Sequence, residues 1–175
     1  MKKIISLLLL SGIFATQVNA QKPAEDKSKR PSPPATVSEK IASGATITIS
    51  YSQASVKGRT IGKDLEPMEG KVWRTGANEA TTFETDKDVT INGEALPAGK
   101  YGLFTLFQGN DVSVIFNKTW NQWGAFGYKM EDDALRVSVK GSEANPPAEK
   151  LTFSISDDGV VNMLWGNKKV SFNVK

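Results

Sequence analysis

From residue 35 onward the chain alternates between apolar and polar side chains. In residues 45–51, Ile47, Ile49 and Tyr51 fall on one side and Thr46, Thr48 and Ser50 on the other, the period of two that a half-buried strand requires. The same alternation recurs at Val112, Val114 and Phe116, at Leu135, Val137 and Val139, at Leu151, Phe153 and Ile155, at Val161, Met163 and Trp165, and at Val170, Phe172 and Val174. Shorter strands are read at 37–41, 54–57, 81–85 and 88–91. Turn residues separate them. Asn92-Gly93 is the strongest hairpin signal, because both central positions of a type I′ turn need positive φ. Gly109-Asn110, Asp158-Gly159 and Gly166-Asn167 also read as turns. Residues 101–107 are apolar on both faces, so that strand is expected to be covered on both sides. No helical period occurs after residue 35. About ten short strands at hairpin spacing predict an all-β fold, a single antiparallel β-sandwich of jelly-roll type over residues 35–175. Three stretches interrupt the alternation: 59–70, read as a covering or functional loop; 118–128 (KTWNQWGAFGY); and 141–147, read as a loop.

The first 34 residues are of a different kind. Lys2 and Lys3 precede an apolar run from Ile4 to Phe14, and Val18-Asn19-Ala20 places small residues where signal peptidase reads them. The run is shorter than the roughly 20 residues a spanning helix needs. Residues 1–20 are therefore expected to be a signal peptide cleaved after Ala20, which makes the protein exported, periplasmic or secreted, with no transmembrane segment in the mature chain. Residues 21–34 (QKPAEDKSKRPSPP) are polar and proline-rich, the composition of a flexible tether.

Composition narrows the chemistry. The chain has no cysteine and no histidine, so disulfides, thiolate catalysis, histidine bases and soft-metal sites are outside its means. Loss of Lys2 and Lys3 lowers the net charge from +3 to +1, which leaves no case for nucleic-acid binding. No cofactor and no metal are expected. Carboxylates, arginines, lysines, tyrosines and hydroxyls remain.

The segments KVWRTGANEATTF, LPAGKYGLFT and VIFNKTWNQWGAF, together with Arg30-Pro31-Ser32-Pro33, Tyr51-Ser52, Val56-Lys57-Gly58-Arg59 and Trp123-Gly124-Ala125, resemble the domain-of-unknown-function family 2911, secreted proteins common in Bacteroidetes. The resemblance covers nearly all of the mature chain. It implies an exported single domain and assigns no activity.

Residues 71–82 (KVWRTGANEATT) form the first candidate site. Arg74 offers a rigid fork for a carboxylate, Asn78 both donates and accepts, and Glu79 can serve as base or ligand. Thr75-Gly76-Ala77-Asn78 could present backbone N–H groups to an anion. The structural alternative pairs Arg74 with Glu79 across a tight turn, with Gly76 supplying the φ and Trp73 in the core. A second candidate gathers Asn117, Trp120, Trp123 and Tyr128, aromatics in a glycine-containing loop that suit a sugar or peptide cleft or else cap one end of the sandwich. A third is Lys57-Gly58-Arg59 with Lys63, an anion site or a solvated basic loop. Glu131-Asp132-Asp133 lacks calcium-loop spacing. Glu79 with Asp133 is the carboxylate pair to consider for hydrolysis.

The leading expectation is a non-catalytic binding or interaction module for a small polar ligand, glycan or peptide. The alternatives are a carboxylate-based hydrolase or isomerase using Glu79 and Arg74, and a purely structural envelope domain.

Overall fold

The computed structural model describes residues 25–175; the expected signal segment lies outside them. Eleven strands follow one another: β1 (Pro34–Lys40), β2 (Thr46–Ser52), β3 (Val72–Trp73), β4 (Thr82–Thr85), β5 (Val89–Ile91), β6 (Glu94–Leu96), β7 (Gly99–Gln108), β8 (Asp111–Asn117), β9 (Asp133–Lys140), β10 (Ser142–Ile155) and β11 (Val160–Asn173). The large sheet runs β1-β2-β4-β7-β8-β9, with β3 also on β7. All its pairs are antiparallel. The long β10–β11 hairpin forms a second sheet and β5–β6 a third.

The alternation sets which face each strand buries. Ile47, Ile49, Phe83, Leu103, Phe107, Val112, Val114 and Phe116 of the large sheet share one core with Leu151, Phe153, Val161, Met163, Trp165, Val170 and Phe172 of the hairpin. Aromatic edges bridge the two layers. Tyr51 meets Phe153 at 4.9 Å between ring centroids and Phe116 meets Phe172 at 5.9 Å, both in the T-shaped arrangement the ring quadrupole favours. The result is the expected antiparallel sandwich.

The outer face of the large sheet is covered too, as the two-faced apolar pattern of β7 predicts. Phe104 and Ile115 are fully buried there with Ala80, packed by Val72, Leu106, Ala125 and Tyr128. The cover is the loop 118–129. Gly102 leaves room beneath it for the Phe104 ring: a Cβ there would lie 2.7 Å from Phe104 Cε2, with Thr119 O and the Trp120 Cα in ordinary contact at 3.4 Å. Asn117, with no exposed surface, pins the loop. Its amide N–H groups go to Lys129 O and Asp133 Oδ1, and its Oδ1 accepts from Thr119 N, each at 2.9 Å.

Several local expectations change. Residues 54–57 form no strand; Ser55 makes a single bridge to Lys150. Residues 142–147 belong to β10 and Gly166-Asn167 to a continuous β11. The register of the hairpin shifts on either side of Ala148, which pairs with Gly166. An irregular ladder absorbs turn-like residues without reversing the chain.

Candidate functional site

Residues 71–82 leave β3, turn, and return into β4. Two non-glycine residues in this turn have positive φ, Thr75 (54°) and Asn78 (56°). For a β-branched threonine this is a strained conformation. Thr75 is fully buried, and its hydroxyl is held by Trp73 O at 3.3 Å and Thr105 Oγ1 at 3.1 Å. Gly76 does not supply the turn's positive φ, contrary to expectation; it supplies space. A Cβ there would sit 2.7 Å from Thr81 Oγ1, the hydroxyl that donates to Thr75 O. Trp73 is core, as expected, with its indole N–H on Gly76 O at 3.1 Å.

The expected Arg74–Glu79 ion pair is not formed. Glu79 is taken by the N-terminal segment. Arg30 Nη1 reaches both of its oxygens, at 3.0 and 2.9 Å, and Lys27 Nζ reaches Oε1 at 2.8 Å. Arg30 is held from its other side by Glu25, through Nε and Nη2, and its guanidinium lies 5.7 Å from the Trp123 ring centroid. Burial raises the Glu79 carboxyl's pKa, but hydrogen bonds from Lys27, its own backbone and Arg30 outweigh that and hold it at about 2. Asn78 Nδ2 donates to Ser32 O at 3.0 Å, and Gln53 N donates to Pro33 O. Residues 25–33 thus run along the domain from Glu79 to β1. Sequence reasoning missed Arg30 and Lys27 as partners. They sit in a segment whose composition signals a tether, and a contact 49 residues away in sequence has no local signature.

The turn and the aromatic loop do meet. Glu79 and Trp123 form a bridge, Ala80 N donates to Gln122 O, and Gly124 N to Asn78 O. They do not enclose one cleft. Trp120 and Trp123 lie on the outer surface, 39% and 55% exposed, with Lys100 Nζ 4.7 Å from the Trp120 ring centroid. Asn117 and Tyr128 belong to a structural network. Tyr128 OH donates to Asp133 Oδ2, which also accepts from Arg136; burial, then the bond to Asp133, pushes the phenol up to about 12. Asp133 is thereby committed in a network that shares no residue with that of Glu79. The hollow beside Glu79, about 220 Å³, has no second carboxylate in its lining. No group of three or more acidic residues among the described residues is placed to hold a metal ion.

Arg74 lies between the loop 118–129 and a second hollow: its Nη1 is 4.0 Å from where a Cβ on Gly124 would sit. With Arg59, Trp73, Gly76 and Ala77 it lines a hollow of about 360 Å³ under the loop 54–68, closed by Asp64, Leu65, Glu66, Met68 and Trp165. Among the described residues its guanidinium makes no salt bridge and no hydrogen bond, and its Nε is buried without a partner. Burial lowers its pKa, and the negative charge of Glu66 counters this. Arg59 spends Nε and Nη2 on the carbonyls of Val56 and Ser55, which curls the exposed basic loop onto itself. Lys63 is exposed and outside this lining. Ala77 N–H is already given to Ser52 O. The loop 59–70 is a covering loop: it lies over Trp165, whose indole N–H donates to Glu66 O at 2.7 Å. Glu66 and Trp165 entered no candidate site from sequence, because neither carries a motif.

Fold and site together define an all-β sandwich with an arginine-bearing hollow at one end. Residues 32–174 match the model of a family described as "Protein of unknown function (DUF2911)", and the chain belongs to that family. No curated protein and no solved structure matches it. Among the described residues no helix is long and apolar enough to cross a membrane.

Proposed function

We propose that this chain is an exported, non-catalytic binding module that takes a small polar ligand in the hollow beside Arg74. One observation carries the reading: a half-buried arginine lining a ligand-sized hollow donates to nothing among the described residues. Buried polar groups are ordinarily satisfied, and an orphaned one at a cavity wall calls for a partner such as water, an ion or a bound molecule. The volume falls in the range of small-molecule sites, and the strained Thr75 beside it is the sort of backbone found at ligand clamps. The acid–base alternative has less support, since Glu79 is ionised, double-paired and absent from the lining of that hollow. The glycan and peptide alternatives would use Trp120 and Trp123, where Arg30 and Lys100 already lie against the rings.

The test is a ligand-observed NMR screen of small polar compounds against the mature chain, with hits mapped by amide shifts. Hits that perturb Trp73–Ala77 and residues 59–68, and vanish in Arg74→Gln, support the reading. A screen with no saturable hit at these residues overturns it. Export is tested by N-terminal sequencing of the protein from the culture or envelope fraction, with Gln21 expected as the first residue.

A further inference from the structure

The apolar exposure of the molecule is gathered in one place. Among the described residues four large apolar side chains stand exposed, and all four fall within residues 120–130: Trp120, Trp123, Phe126 at 90% and Met130 at 67%. Single exposed apolar side chains are ordinary, whereas a cluster of them marks an interaction surface. The cluster is held in shape. Asn117 pins the loop near both ends, and the Phe126 ring rests on Gly124, where a Cβ would meet it at 3.1 Å. Cations surround the cluster. Arg30 lies against Trp123 and Lys100 against Trp120, and both line, with Lys27, the hollow beside Glu79. Lys118 and Lys129 flank the loop, exposed and in no salt bridge among the described residues. Residues 118–130 contain no acidic side chain. Glu131 and Asp132 follow them, with Asp132 accepting from Thr119 Oγ1, and Glu79 is already spent on Lys27 and Arg30.

We infer that this loop docks the protein on an anionic lipid surface, with Trp120, Trp123 and Phe126 at the headgroup level and the basic side chains on the lipid phosphates. Aromatic rings with lysine and arginine beside them are the arrangement that lipid–water interfaces favour. A ring with a cation against it is poorly placed to stack on a sugar. The same pair fits an interface, where the ring meets acyl chain and the cation stays with the headgroup. The path of the N-terminal segment points to the same partner. The described residues start at Glu25, which Arg30 holds beside Trp123. Residues 15–24 join Glu25 to the apolar run Ile4–Phe14, and fully extended they reach at most about 35 Å. While that run is in the membrane, as expected of a signal segment, the aromatic loop is held close to the bilayer. The inference is independent of what the hollow at Arg74 binds.

The experiment mixes the mature chain with vesicles of phosphatidylcholine alone and with vesicles of equal parts phosphatidylcholine and phosphatidylglycerol, and reads co-sedimentation and tryptophan emission. Trp73 and Trp165 are buried, so a blue shift reports Trp120 and Trp123. Binding with a blue shift is expected on the anionic vesicles and much less of it on the neutral ones. Phe126→Ser should weaken binding about tenfold, the loss for one apolar ring no longer taken from water. The urea midpoint should hold, because the ring is exposed in the free protein. Phe126→Leu should keep most of the binding. The inference is overturned if the anionic vesicles sediment no protein, or if neutral vesicles bind as well. It is also overturned if Phe126→Ser leaves binding unchanged, which is adsorption by charge alone. A dimer in solution, detected by light scattering and dissociated by Phe126→Ser, would assign the patch to a second copy and overturn it as well. A ligand found or missed at Arg74 changes none of these outcomes.

Discussion

Glu79→Gln is the most informative single change outside the hollow. It keeps the side-chain shape and removes the charge that clasps Lys27 and Arg30. Taken at face value, the fall of the carboxyl from 4.5 to about 2 corresponds to about 3.4 kcal/mol. The side chain is 38% exposed, so solvent screening cuts this heavily, and about 1 kcal/mol is the figure to expect. The loss should be local. The core residues make no use of Glu79, whereas the segment 25–33 depends on it, on Asn78 and on Ser32. A loss of about 1 kcal/mol multiplies the open population of that segment roughly fivefold. Trypsin reads this directly, since Lys27 and Lys29 lie within the segment and cleavage needs it lifted off. With opening fast relative to cutting, the initial rate should rise about fivefold in the variant, while the urea midpoint of the sandwich shifts little. An unchanged cleavage rate would refute the claim that Glu79 fastens the N-terminal segment.

Acid should act on the same clasp. Because the folded carboxyl is depressed, its contribution is complete above about pH 4.5 and is lost as the pH falls towards 2; the Glu79 side-chain carboxyl 13C resonance should titrate over that window and not between pH 5 and 8. Gly76→Ala should destabilise the domain by about 1–3 kcal/mol in urea denaturation, since the new methyl meets Thr81 Oγ1 at 2.7 Å. Asn117→Ala removes three bonds from a fully buried side chain and should cost about 2–4 kcal/mol, with faster amide exchange in residues 118–129. Phe104→Ala should cost about 3–5 kcal/mol and expose the same loop.

The strands were legible because their signal is local. Period-two alternation in β2, β8 and β11 follows from which faces are buried, and each strand displays it over its own few residues. Where the reading missed, the competing effect was non-local. Residues 141–147 contain two prolines and read as a loop, yet all but Gly141 lie in β10, where Ser142 and Glu143 pair with Lys169 and Lys168 of β11. Gly76 was assigned a conformational role and has a steric one, set by a threonine five residues away that the turn folds back.

The candidate site was legible as a list of residues and not as a place. Arg59, Trp73, Arg74, Asn78, Glu79, Asn117, Trp120, Trp123 and Tyr128 divide among a hollow, an outer surface and a structural network. Sequence proximity suggested that Arg74 and Glu79 would satisfy each other. The chain turns between them, so one side chain lies under the loop 54–68 and the other beneath residues 25–33.

By itself, then, the sequence determined the fold class and, through the absence of histidine and cysteine, the chemistry open to the protein. Both follow from residue types and spacings that need no partner to be read. Only the tertiary structure decided which charge meets which. Pairing depends on distances between segments far apart in the chain, and those are set by how two sheets pack. Arg30, and not Arg74, meets Glu79, and Arg74 borders the hollow.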